Sequence, residues 1–169
     1  MFAPAKPRPL FRLALALLLA ALVVPAQAAT PRPLAVVSFG FVDTSNEPSD
    51  QTAVHKARLQ AMMKTLQGKL AASGRFRILG VACSPEPCTG DADVERELAD
   101  AKAAGAEWAL LGTVDKTSTL ILSMPIQVLD VRNGAIIHNR LLSFRGDTDD
   151  AWQHAARFLA RELVEQLPP

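Results

Sequence analysis

The chain is predicted to fold as a mixed α/β domain, a five-stranded sheet with three helices in the order β-α-β-α-β-β-β-α. Three observations predict it. Apolar strand runs alternate with helical stripes through the first half of the chain. Period-two alternation takes over from Glu107, and Asn133-Gly134 supplies a hairpin signal between the last two strands.

Leu34 to Val42 (LAVVSFGFV) is apolar, β-branched and aromatic, as a buried first strand should be. Asn46, Pro48 and Ser49 break it. A helix from about Asp50 to Ser73 follows, with Leu59, Met62, Leu66 and Leu70 on one stripe and Gly74 as its stop. Phe76 to Val81 is a short strand, and Asp91 to Ala104 a helix closed by Gly105. Trp108, Leu110, Gly112 and Val114 share one face of the next strand, and Leu120, Leu122, Met124, Ile126 and Val128 share a face of the one after it. Pro125 marks that strand as an edge or a bulge, with a risk of self-association. A type I′ turn at Asn133-Gly134 leads into Ala135 to Phe144. The last helix, from about Asp149 to Gln166, buries Trp152, Ala156, Leu159 and Leu163.

The first 28 residues read as a cleaved leader: Lys6, Arg8 and Arg12, an apolar run Leu13 to Val24, and the small-x-small site Ala26-Gln27-Ala28. Twelve residues reach roughly 18 Å as a helix, short of a ~30 Å hydrocarbon core, so export is favoured over anchoring. No cysteine follows the cut and the leader arginines are not adjacent, so neither lipidation nor a twin-arginine signal is expected. The expected product is soluble, periplasmic or secreted, with a Pro-rich lead-in to Pro33 and one domain over residues 34–169. Three of the 18 basic residues fall in the leader. The remaining 15 stand against 17 acids without a basic block, which argues against a nucleic-acid partner.

Cys83 and Cys88 are the only cysteines. An oxidising compartment favours a disulfide, with a regulatory thiol pair and a metal site as the other readings. Their spacing is not Cys-x-x-Cys, and His55, His138 and His154 are too scattered to supply a histidine pair for zinc.

Two crossovers and two hairpins bring the C-terminal ends of four strands to one edge of the sheet. Asp43-Thr44-Ser45, the cysteine loop, Asp115-Lys116-Thr117 and the run Arg145 to Asp149 should be neighbours there, at the edge where open α/β sheets bind ligands. Asp147, Thr148, Asp149 and Asp150, with Asp43, could hold a hard cation, but helix capping is the preferred reading and no metal is expected. Lys116 and Arg145 could form an anion pocket or ion pairs with Asp43. No Gly-x-Ser-x-Gly elbow, phosphate loop or dinucleotide turn is present, so neither an enzyme nor a cofactor is expected.

Gly112-x-Val114-x-Lys116-x-Ser118, Val128-x-Asp130, Arg145-Gly146-Asp147-Thr148-Asp149-Asp150-x-Trp152 and Phe41-x-Asp43-Thr44-Ser45, with the close cysteine pair, resemble a proteobacterial family of exported proteins of unknown function. The chain differs from that family's pattern at Asp147, where Asn is frequent, and at Ala151, where Ser is. The resemblance implies a fold like the TolB amino-terminal domain and CsgG-like envelope proteins, in which such a domain serves assembly and contact. Some members look to be encoded beside periplasmic quinoprotein dehydrogenase systems. The expected function is therefore non-enzymatic binding of another envelope protein through Asp43, Thr44, Ser45, Lys116, Arg145, Asp147 and Asp149. The alternative is a small-anion or metal binder accessory to such an oxidoreductase.

Overall fold

The computed structural model describes residues 30–81 and 94–169. The expected leader, Cys83, Cys88 and the first residues of the second expected helix lie outside the described residues. The elements are β1 (Arg32–Val37), β2 (Gly40–Asp43), α1 (Thr52–Ala72), β3 (Phe76–Val81), α2 (Val94–Ala103), β4 (Trp108–Lys116), β5 (Ile121–Asp130), β6 (Ile136–Arg145) and α3 (Asp149–Gln166). The sheet runs β3-β1-β4-β5-β6, with β2 also on β4. Strands β1, β2 and β3 are parallel to β4, and two antiparallel pairings return β6 to the same direction.

The mixed α/β class and the three helices are as expected, but the expected first strand is divided in two. Val36 pairs with Leu110 and Gly40 with Thr113, so three residues of the first strand oppose two of β4. One extra residue reverses the side-chain alternation. Leu34 and Val36 point to the core under α1 and α3, as do Phe39 and, part-buried, Phe41 beyond the slip. Ala35 and Val37 point to the smaller core under α2. Alternation could not reveal the slip, because both sides of it are apolar.

Gly112 makes the slip possible. A Cβ there would lie 2.7 Å from the Phe39 ring and 3.0 Å from Ile126 Cγ2. Gly112→Ala should cost about 1–3 kcal/mol by overpacking, measured as a lower urea midpoint with an unchanged slope.

Three further expectations are corrected. Strand β5 is interior, between β4 and β6, and the edge is β6; the break in its register falls at Val128/Leu129 rather than at Pro125. The β5–β6 connection is not a type I′ turn, because only Gly134 (φ +69°) has positive φ. Instead the Asp130 carboxylate accepts from the Arg132 N–H at 2.9 Å, and the Asp130 N–H donates to the Ala135 carbonyl across a longer loop. Leu120 is 66% exposed rather than on the core face, since it precedes β5 in a turn where Ser118 Oγ accepts from its N–H.

The stripes of α1 and α3 are buried as expected, apart from part-buried Leu59. Gly74 ends α1 with φ +70°. No helix among the described residues is long and apolar enough to cross a membrane.

Candidate functional site

The parity of the hairpins sets the site. The C-terminal ends of β2, β4 and β6 meet at one edge of the sheet, where the first turns of α1 and α3 also begin. β2 and β4 end in register, Asp43 opposite Lys116, and the Thr44 N–H donates to the Lys116 carbonyl at 2.9 Å.

Lys116 points inward and is fully buried. Its Nζ lies 2.9 Å from Glu47 Oε2, 3.1 Å from Asp147 Oδ2 and 3.7 Å from Asp43 Oδ2. Three carboxylates thus converge on one ammonium. Gln51 donates to Glu47 and holds it in position.

Asp147 is the hub. Its Oδ2 also contacts His55 Nε2 at 2.7 Å, while its Oδ1 accepts from Arg58 Nη1 at 2.7 Å and Trp152 Nε1 at 3.0 Å. Both oxygens are doubly engaged, the full acceptor capacity of a carboxylate. Phe41, His55 and Trp152 form an aromatic wall beside it, with the Phe41 and His55 ring centroids 4.5 Å apart. Arg58 Nε reaches on to Asp149 Oδ1 at 2.8 Å. Thr148 is the N-cap of α3, its Oγ1 accepting from the Ala151 N–H at 3.3 Å. Asp149 and Asp150 sit in the first turn, where the helix dipole favours them.

Burial alone would raise the Asp147 pKa, but hydrogen bonds from His55, Lys116 and Trp152 outweigh it and bring the carboxyl down to about 2. Burial alone would likewise lower the Lys116 pKa; its hydrogen bonds to Glu47 and Asp147 instead hold it above 10.5. A depressed carboxyl pKa contributes stability that is complete above the unfolded value of 3.8 and is lost as pH falls through about 2. The raised Lys116 value contributes stability that is complete below 10.5 and is lost in stronger alkali. Asp147 should therefore supply about 2 kcal/mol at neutral pH. Urea titrations at about pH 7, 4 and 2 should show that loss in acid, and Asp147→Asn should remove it.

Of the residues expected at this edge, Asp43, Lys116, Asp147 and Asp149 belong to the network, and Thr44 and Ser45 flank it. Ser45 donates to Asp43 Oδ1 through both its N–H (2.9 Å) and its hydroxyl (2.6 Å). Arg145 stands apart. Phe144 packs against the core under α3, so alternation turns the exposed Arg145 to the opposite face of the sheet. Glu47, Gln51, His55 and Arg58 are absent from the edge expected from sequence. The signal for His55 lay on the α1 stripe, four residues before Leu59, where a polar residue on an apolar face implies a buried partner.

The family described as "Protein of unknown function (DUF2380)" matches residues 32–164. The chain belongs to this DUF3280 family. Membership agrees with the resemblance to a family of unknown function. No curated protein matches this DUF3280 chain. Among solved structures, the PelC dodecamer from Paraburkholderia phytofirmans aligns with a TM-score of 0.54 and 16% identity, over 83% of this chain and 91% of that one. The LpoB C-terminal domain from Salmonella enterica aligns with a TM-score of 0.47 and 18% identity, over 70% and 86% of the two chains. TolB from Acinetobacter baumannii aligns with a TM-score of 0.43 and 16% identity, over 79% of this chain and 28% of that one. The PelC likeness shows that this DUF3280 chain shares that protein's fold.

Proposed function

We propose that the chain is a non-enzymatic accessory domain of the cell envelope that acts by docking another envelope protein at the C-terminal edge of its sheet. The observation that carries this reading is the complete engagement of Asp147. A carboxylate with two polar partners on each oxygen and a pKa of about 2 is a poor proton acceptor at neutral pH. The network is suited to holding five segments in one rigid frame, and a rigid frame lowers the entropic cost of recognition. The leader supports delivery to the periplasm, where a soluble partner-binding domain would act.

Contact falls to what the frame leaves exposed at this end of the sheet: Thr44, Asp149 with its side chain 84% exposed, and, on the opposite face, Arg145. These groups give charge specificity at the rim. Crosslinking in intact cells, followed by pulldown of the full-length protein, tests the reading. Arg145→Glu should abolish the crosslinked species while leaving the melting temperature unchanged. A crosslinking pattern identical to wild type would overturn the assignment of this rim.

A further inference from the structure

A groove of about 490 Å³ lies between α1 and the start of β2, beside the network but not part of it. Its volume is in the range of ligand-binding clefts, roughly 300–1,000 Å³. Phe39, Phe41, Leu59 and Met63 line its apolar part, and Lys56 and Lys64, both exposed, stand on the α1 side. No carboxylate among the described residues lines it. Strand β2 pairs with β4 on one side only, and β3 ends at Val81 opposite Val37, so the groove side of β2 has no strand partner among the described residues. The Thr44 N–H marks the β4 side of the ladder. Alternation therefore turns the peptide groups of Phe41 and Asp43 towards the side that no described strand covers.

We infer that this groove binds an extended acidic segment of a partner protein, which adds as a strand to the edge of β2 that no described strand covers. An unpaired strand edge offers backbone donors and acceptors, and an adjacent apolar groove selects alternate side chains. The lysines give the charge and the spacing. Eight helical residues separate them by about 12 Å, and side chains four apart on a strand are separated by about 13 Å. The ligand pattern is therefore acid-x-apolar-x-acid, with the apolar residue between the lysines over Leu59 and Met63. This surface is separate from the Arg145 rim, so either can fail without the other.

The test uses the full-length protein and a fluorescent peptide, Thr-Glu-Thr-Leu-Thr-Glu-Thr, read by polarisation. Saturable binding is expected, weakened at least tenfold when lysine replaces both glutamates of the peptide and when the protein carries Lys56→Glu with Lys64→Glu. N-methylation of the central peptide amides should weaken binding as much, because strand addition uses them. Lys56→Gln with Lys64→Gln serves if the reversed pair fails to fold, with circular dichroism as the check. Absence of saturable binding, equal binding of the lysine peptide, indifference to the lysine variants, or full binding of the N-methylated peptide would each overturn the inference. So would binding of decanoate without the peptide, which would make the groove a site for small amphiphiles. Arg145→Glu should leave peptide binding unchanged.

Discussion

Asp147→Ala should destabilise the protein by about 3–5 kcal/mol, the range for removing one partner of a buried ion pair. The loss is large because two cations, an imidazole and an indole N–H converge on this one carboxylate, whose side chain is only 9% exposed. Alanine leaves Lys116 buried with Glu47 as its remaining close partner, and leaves Trp152 Nε1 and His55 Nε2 without acceptors. Against a typical total of about 5–15 kcal/mol, such a loss approaches unfolding at 37 °C. Asp147→Asn should cost less, because its amide oxygen can still accept from Arg58 and Trp152. Urea denaturation of the three proteins measures the series. A loss below about 1 kcal/mol for alanine would show that water reaches the network and satisfies it.

Lys116→Met should be comparably severe, about 3–5 kcal/mol, for the opposite reason. Removing the ammonium leaves Asp43, Glu47 and Asp147 facing one another with no cation at their centre. Methionine fills most of the lysine volume, so the loss would report charge rather than a cavity. Adding Glu47→Gln should recover part of it by removing one uncompensated carboxylate. A double-mutant cycle over Lys116 and Glu47 should give a coupling of about 1–3 kcal/mol, and a cycle that closes at zero would separate the two residues energetically.

The fold was legible where one face of an element is polar. α3 shows its stripe plainly, with Trp152, Ala156, Leu159 and Leu163 buried and acids in its first turn. Hairpin parity was equally readable, and it placed Asp43, Lys116 and Asp147 at one edge before any coordinate did. The slip between β1 and β2 was not readable, because every residue from Leu34 to Val37 is buried on one face or the other and alternation carries no signal there. Asn133-Gly134 misled through local propensity: the carboxylate of Asp130, outside the dipeptide, selects the longer loop.

The site was legible as a location and not as an environment. Lys116 was expected among exposed charges because lysine is rarely buried unpaired. Its burial depends on Glu47 and Asp147, which lie 69 and 31 positions away along the chain, and no local pattern encodes such a meeting. His55 carried a local signal, a polar residue in line with Leu59 and Met62 on an apolar stripe, although the edge expected from sequence did not include it.

The His55–Asp147 and Glu47–Lys116 contacts close chain segments 92 and 69 residues apart. Closing spans of that length is entropically slow, so the clasp should assemble after the local hairpins and helices have docked. Interactions made on the native side of the barrier govern escape from the native basin more than entry into it. The charged cluster should therefore act as a latch on lifetime: weakening it would shorten the residence of the folded chain and hasten proteolysis through rapid opening, while leaving refolding nearly as fast.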